Sequence, residues 1–303
     1  MVLGIDIGGT NTEFAVVDST KGIVHIEKIK TKSHTSFLNY IESFTDIVKK
    51  LAKKFNISSI GIGAPNFDSG SNTFCPVNFN WPDVIPFNLE QHLEHEVSIP
   101  ISIVNDANAI ALAENRYGIG RKVNSFIVIT LGTGLGTGIV INNHLFDGSY
   151  GYAGEFGHTK LENIDRVCNC GGIGCLETVV SANGIRRTIA EKLNLDSPNE
   201  APDVRSIFEK AKNEDVLYKE TLEYTFKVLG KKLSDIMHIL TPEAVVFCGN
   251  ISKSLEIYMP IIKKECERNL LNNLRGKTNY IVSDLIHKKV NLLGPASLAF
   301  NKN

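Results

Sequence analysis

Two stretches of the chain repeat one pattern: DIGGTNTEFAVV from Asp6 and LGTGLGTGIVI from Leu131. Each reads as the end of an apolar strand, a turn of glycine and threonine, and a returning strand. They lie about 125 residues apart. A chain that carries this unit twice is expected to fold as two similar halves, each presenting a glycine loop. Such a loop exposes backbone N–H groups and a hydroxyl, with no Cβ to obstruct an anion, which suits phosphate oxygens. The same turn also serves as a plain tight hairpin, where glycine is equally at home. Neither loop is a P-loop, because no lysine follows the glycines. Positive charge for a phosphate must then come from a metal ion. Asp6, entering the first loop, is placed to hold Mg2+ through water, or to cap the turn.

The elements around the loops alternate. Val2–Ile7 and Thr12–Val17 read as strands flanking Gly8-Gly9-Thr10, and Ile23–Ile29 as a third. Residues 35–54 carry apolar side chains at helical spacing. A short strand follows at 59–63, then a long loop at 66–87 rich in Asn, Pro and Gly. Ile101–Val104 reads as a buried strand leading into Asn105-Asp106, and Ala107–Tyr117 as a helix. In the second half Ser125–Leu131 is a strand, 132–138 a turn and Ile139–Ile141 the returning strand. Residues 181–240 read as mostly helical with breaks at Pro198 and Pro202. Glu243–Cys248 is a strand, and Ser252–Leu271 a helix. Strands alternating with helices predict an α/β protein. The expected domains are 1–117 plus 292–303, and 118–291.

The stretch GEFGHTKLENIDRVCNCGGIGCLE (154–177) poses a separate problem. Cys168, Cys170 and Cys175 fall within eight residues, with His158 ten residues before the first. A disulfide knot fits poorly with a 303-residue chain holding six cysteines, because disulfide scaffolds belong to small secreted domains. The N-terminus shows no signal sequence, and no apolar run reaches the roughly 18 residues that span a bilayer. A reducing cytoplasmic setting is expected, with no membrane partner. Three thiolates and an imidazole complete a tetrahedron around Zn2+. Gly171, Gly172 and Gly174 would let the backbone fold tightly enough for the sulfurs to converge. Four ligands leave no open position, so such a zinc would be structural. Buried free cysteines, or a C-x-C redox pair, remain the alternatives. The 32 basic and 33 acidic residues nearly cancel. Nothing basic enough for a phosphate backbone stands out, and nucleic acid is not an expected partner.

Six segments together resemble the ROK family of sugar kinases and repressors: DIGGTN (6–11), GIGAPN (61–66), NDANA (105–109), LGTGLGTG (131–138), GEFGH (154–158) and CNCGGIGCLE (168–177). The resemblance implies an actin-like ATPase (hexokinase/ROK) fold of two α/β domains, with ATP and sugar in the cleft between them. It also implies ATP-dependent phosphorylation of a hexose on its 6-hydroxyl, with Mg2+ and a structural Zn2+, and a homodimer is the expected assembly. By the same resemblance Asp106 matches the catalytic base. Asn78, Asn105, Glu155, His158 and Glu177 match sugar contacts. Asp6, Gly8, Gly9, Thr10, Asn11, Thr133, Gly134, Gly249 and Asn250 match the nucleotide side. His158, Cys168, Cys170 and Cys175 match the zinc ligands.

These roles make physical sense. An aspartate that ends a strand and opens a helix can take a proton, although the position also suits a helix N-cap. Glu155 and Glu177 can each accept from two adjacent hydroxyls. A zinc tetrahedron between them would brace both without touching the chemistry. Two segments depart from the pattern, with Asn66 where a glycine is common and CGN (248–250) where a Gly-Gly pair is usual. Asn250 is expected to tolerate left-handed backbone there. Trp81, in NFNWP (78–82), is expected to pack rather than stack on a ligand. Glucose is the first expected substrate. N-acetylmannosamine, N-acetylglucosamine, fructose and allose are the alternatives. A sugar-sensing repressor is disfavoured, because the first strand begins at Val2 and no helix-turn-helix segment precedes it.

Overall fold

The structure is a computed structural model that describes residues 1–79 and 81–300; the side chains of Asn78, Lys253 and Ile286 are outside the description. The hydroxyl contact expected of Asn78 therefore falls outside the described residues. The chain divides into two compact units, the first holding one sheet whole and the second the strands Phe126–Leu131, Ala244–Cys248 and Asn279–Val282 of the other. The first comprises Met1–Lys122, Gly138–Ala153 and the chain from Asp284. The second comprises Val123–Thr137 and Gly154–Ser283. The sequence-based division differs mainly at Gly138–Ala153. Gly138 explains this locally: a Cβ there would lie 2.6 Å from the Ala111 Cβ, so the strand runs directly against helix Asp106–Tyr117.

In the first sheet the order is Gly22–Ile29, Thr12–Asp18, Val2–Ile7, Ser59–Gly63, Ile101–Val104. The first three strands pair antiparallel and the last two join in parallel. Alternation along the strands gives each face its partner. Leu3, Ile5, Ile7, Phe14 and Val16 face helix Phe37–Phe55, whose Phe37, Tyr40, Ile41, Phe44, Val48 and Leu51 complete the core. Ser36 caps that helix by accepting from the Asn39 amide at 3.1 Å, and Asn56 ends it in left-handed backbone. Trp81 lies in this core against Tyr40, 4.9 Å between ring centroids, and its Nε1 donates to the His34 carbonyl. It packs, as its apolar body favours.

The opposite face carries Val2, Ala15 and Val17, covered by Leu292, Ala296 and Ala299 of the C-terminal helix Val290–Phe300. Gly4 and Gly61 allow that helix to lie on the strands. A Cβ on Gly61 would stand 1.9 Å from the Pro295 carbonyl oxygen. Gly61→Ala should therefore destabilise the protein by about 1–3 kcal/mol, the usual cost of overpacking a rigid backbone contact. A urea midpoint equal to wild type would refute this account of the packing.

The second sheet repeats the plan. Its order is His144–Leu145, Leu135–Ile141, Phe126–Leu131, Ala244–Cys248, Asn279–Val282, with the last two parallel to their inner neighbours. Two sequence expectations need correcting. The returning strand begins at Leu135, not Ile139, so the turn is only 132–134. Gly136 and Gly138 belong to the strand, and the Gly136 amide donates to Thr130 Oγ1. The single helix expected over Ser252–Leu271 is a 3-10 segment, Ser252–Ile257, followed by helix Met259–Asn269. Pro260 has no N–H to extend a helix through and is suited to a new first turn. Among the described residues, no helix is long and apolar enough to cross a membrane.

Candidate active site

In the first unit the hairpin turn is closed by the Gly8 amide donating to the Asn11 carbonyl at 3.0 Å. A Cβ on Gly8 would come within 2.8 Å of that same oxygen, so the turn needs glycine. Thr31 Oγ1 pins the loop from behind by donating to the Gly8 carbonyl at 2.7 Å, and it also meets Thr12 Oγ1. Thr10 is left exposed at the tip.

Asp6 enters this loop from the face covered by the C-terminal helix. Asn291 Nδ2 donates to its Oδ2 at 2.9 Å and to Glu13 Oε2 at 3.2 Å. Burial pushes the Asp6 carboxyl up to about 7. The Asn291 bond pulls the other way, and the charges of Asp106 and Glu13 add to the rise. A confined carboxylate beside two others fits a cation that would relieve the crowding. The residues present thus fit a Mg2+ held through water.

Asn105 and Asp106 divide one task between them. Asn105 is the N-cap of helix Asp106–Tyr117, its Oδ1 accepting from the Ala107 amide at 2.9 Å. Asp106 is therefore not needed as the cap. Its Oδ1 also accepts from Ala107, at 2.8 Å, and the residue keeps solvent access at its surface. The protein around the carboxyl still strips away part of its water and raises its pKa above the ordinary value, against the pull of backbone N–H groups.

In the second unit Glu155 precedes a single 3-10 turn, Phe156–His158. One turn is enough to bring His158 Nε2 within 3.5 Å of Glu155 Oε2. The other ring nitrogen, Nδ1, lies 3.7 Å from Cys168 Sγ. Cys170 and Cys175 place their sulfurs 3.6 Å apart, and all three cysteines are free. The four ligand atoms lie within 4.8 Å of one another. A tetrahedron with zinc–sulfur bonds needs separations of about 3.8 Å. Burial pushes the Cys168 thiol up to about 12, while the Gly172 amide holds Cys170 below its ordinary value. A thiolate at Cys168 thus needs a cation, and this donor set fits zinc.

The loop that presents the sulfurs is shaped by glycine. Gly171 and Gly174 adopt left-handed backbone, and the Cys168 amide donates to the Gly172 carbonyl. Arg166, buried just before it, ties the loop to the Thr178 carbonyl and, on helix Ala182–Leu193, to Thr188 Oγ1 and Glu191.

Glu177 joins this loop to the second glycine turn. Its Oε2 accepts from the Leu135 amide at 2.9 Å, while Oε1 lies 3.5 Å from Cys168 Sγ. A Cβ on Gly134 would strike that Oε2 at 2.4 Å. Thr133 is exposed at the turn. Gly249 adopts φ 95°, and a Cβ there would lie 2.4 Å from the Leu131 carbonyl, which accepts from Ile251. The left-handed residue of CGN is Gly249; Asn250 is not left-handed and is exposed. Asn66 does take left-handed backbone, at φ 53°.

Within the first unit, then, Asp6, the first glycine loop, Asn105 and Asp106 are placed. Within the second, the four zinc-type ligands, Glu155, Glu177, Thr133, Gly134 and Gly249 are placed. Sequence reasoning missed Glu13, Asn291 and Lys160. Lys160 Nζ lies 2.9 Å from Cys175 Sγ and offers the thiolates a positive charge. Glu13 was open to discovery, since residues 6 and 13 are register partners in the hairpin. Asn291 is 285 residues from Asp6 and carries no local signal.

Two sheets of matching order, each with a glycine turn on its hairpin, define the actin-like ATPase fold. Residues 2–302 match the ROK family, and the chain belongs to it. A glucokinase of Halalkalibacterium halodurans is 31% identical over 300 residues, covering 93% of this chain and 90% of that protein. The crystal structure of a ROK family glucokinase from Streptomyces griseus, in complex with glucose and AMPPNP, is similar at a TM-score of 0.80. It shares 29% identity, with 99% of each chain covered. An N-acetylglucosamine repressor of Escherichia coli is 26% identical over 297 residues, 94% of this chain and 72% of the repressor.

Proposed function

We propose that the protein is an ATP-dependent sugar kinase that phosphorylates the 6-hydroxyl of a hexose, with glucose as its first substrate. The observation that carries this reading is Asp106. Asn105 is the cap, and Asp106 stands at the first turn of the helix, sharing only the Ala107 amide, with a carboxyl whose surroundings favour taking up a proton. That is what a general base for a sugar hydroxyl requires. Similarity to glucokinases across nearly the whole chain supports the substrate.

In this reading Asp106 orients the 6-hydroxyl and takes its proton late, as phosphoryl transfer asks of a base. Asn105, anchored through its Oδ1, donates from Nδ2 to a neighbouring hydroxyl. Glu155 and Glu177 accept from other hydroxyls, and His158, with Nδ1 turned to the cysteines, donates from Nε2. Glu177 retains acceptor capacity because each carboxylate oxygen offers two lone-pair positions. Gly9, Thr10 and Asn11 present N–H and hydroxyl groups to the phosphates, as do Thr133 and Gly134, while Gly8 closes the turn that holds the first set. Gly249 and Asn250 lie on the adenosine side. A magnesium ion beside Asp6 would neutralise the phosphate charge that no lysine here meets. Zinc held by His158, Cys168, Cys170 and Cys175 would brace Glu155 and Glu177. A cytoplasmic homodimer completes the proposal.

A second reading is a kinase for N-acetylmannosamine or N-acetylglucosamine. The similarity to an N-acetylglucosamine repressor gives it a specific basis. ADP release measured by a coupled assay over glucose, both N-acetylhexosamines, fructose and allose decides between them. Glucose should give the highest kcat/KM, by about tenfold or more, since a site built around hydroxyls discriminates strongly against analogues that leave them unpaired. A higher value for an N-acetylhexosamine would replace the first reading with the second. No ADP release with any sugar would remove both.

A further inference from the structure

The first residues of the C-terminal helix meet two carboxylates of the N-terminal hairpin. Asp6 and Glu13 face each other across the hairpin register. Strand alternation puts both on the face that the C-terminal helix covers, with Val2, Ala15 and Val17. Gly4 lets the helix close in, since a Cβ there would lie 2.7 Å from the Leu292 carbonyl oxygen. Asn291 is thereby carried between the two acids. One amide NH2 has two hydrogens and here meets two carboxylates, Asp6 Oδ2 at 2.9 Å and Glu13 Oε2 at 3.2 Å. Both partners are acceptors, which fixes which end of the amide faces them. Lys28, 3.4 Å from Glu13 Oε1, holds the far side of the same array.

We propose that Asn291 is a positioning residue for the magnesium–nucleotide side of the reaction. It keeps the Asp6 carboxylate apart from Glu13 and fixed by Oδ2, so that Oδ1 is the oxygen left for the water shell of the cation. This rests on the reading of Asp6 as the carboxylate that holds magnesium. Asn291 does not itself touch nucleotide or metal. Without its amide, two carboxylates face each other with no donor between them. Asp6 can then turn away from the glycine loop to reduce the repulsion.

The test is Mg2+-titrated binding of a fluorescent ATP analogue, measured without sugar, beside hexose titration without nucleotide and thermal midpoints. Asn291→Leu is nearly isosteric and lacks the donors. It should raise the Mg2+ needed for half-maximal nucleotide binding by roughly tenfold or more, the usual worth of a hydrogen bond to a charged group. Hexose affinity should stay as in wild type. Adding Glu13→Gln in the same chain should restore much of the loss, because it removes the repelling charge. Asn291→Ala serves if the leucine variant does not fold. Wild-type Mg2+ dependence in the Asn291 variant, with Asp6→Asn impaired, would overturn the inference and leave the role of Asp6 standing. Wild-type dependence in Asp6→Asn as well would overturn both. Equal losses of hexose and nucleotide binding with a lowered midpoint, unrelieved by Glu13→Gln, would mark Asn291 as a packing residue and also overturn the inference.

Discussion

Asp106→Asn should reduce kcat by about 100-fold or more while leaving hexose affinity near wild type. The substitution keeps the shape and most of the hydrogen bonding of the side chain. Asn105 still caps the helix through its own Oδ1, so the fold does not depend on the lost carboxylate. What disappears is the proton acceptor, whose usual contribution is 10²–10⁴-fold. The pH profile gives an independent check. Partial loss of water raises the Asp106 pKa above its ordinary value. The base must be ionised to act, so wild-type kcat/KM, which reports the free enzyme, should rise as pH passes upward through that raised pKa. The acidic limb should therefore lie above the range of a solvated aspartate. In Asp106→Asn the limb due to this group should be gone from the residual rate. Near-normal turnover in the variant would remove Asp106 from the role of base.

The repeated strand–turn–strand pattern was enough to foresee two similar sheets, because strand alternation and turn chemistry are local properties. Its details were less legible. Gly136 and Gly138 looked like turn residues. Both lie in a strand, and at Gly138 the Ala107 carbonyl and the Ala111 side chain of a helix approach closely, a long-range fact invisible in a local window. Pro260 was the available sign that the segment after Asn250 would not be one helix, and the apolar spacing around it hid the break. The convergence of His158 with Cys168, Cys170 and Cys175 was readable from ligand chemistry and glycine spacing. The partners of those residues were not. Lys160 reads as one more surface lysine, and only the bridge that pairs it with Cys175 brings its ammonium to a thiolate. Asn291 was hidden for the same reason at greater range. Its meaning comes from Gly4, which admits the last helix to the first strand.

Removing the metal should have the widest effect on binding of any single change in the second unit. Protein purified without chelator should carry about one zinc per chain, the stoichiometry of a four-ligand site. Cys170→Ser is the cleanest variant. Cys170 is exposed, so its loss opens no cavity, whereas Cys168 and Cys175 are buried. The variant should lose the metal and some stability, since zinc in such a site contributes to folding. Hexose affinity should fall by roughly 10–100-fold, the scale seen when supporting contacts around a metal are lost. Position in the sequence suggests that the nucleotide side would be spared, because the glycine turns lie far from the cysteines. The contacts of Glu177 argue otherwise. One of its oxygens meets Cys168 and the other accepts from Leu135, the residue after Gly134. Disorder in the cysteine loop should therefore reach the second glycine turn, and nucleotide binding should weaken along with sugar binding. A catalytic zinc would behave differently: turnover would collapse while both affinities survived, and the site would need an open coordination position. The measurement is elemental analysis beside sugar and nucleotide titrations of wild type and Cys170→Ser. Metal-free wild-type protein with full activity would remove the zinc brace. Loss of sugar binding with untouched nucleotide binding would keep the brace but deny that Glu177 transmits it to the glycine turn.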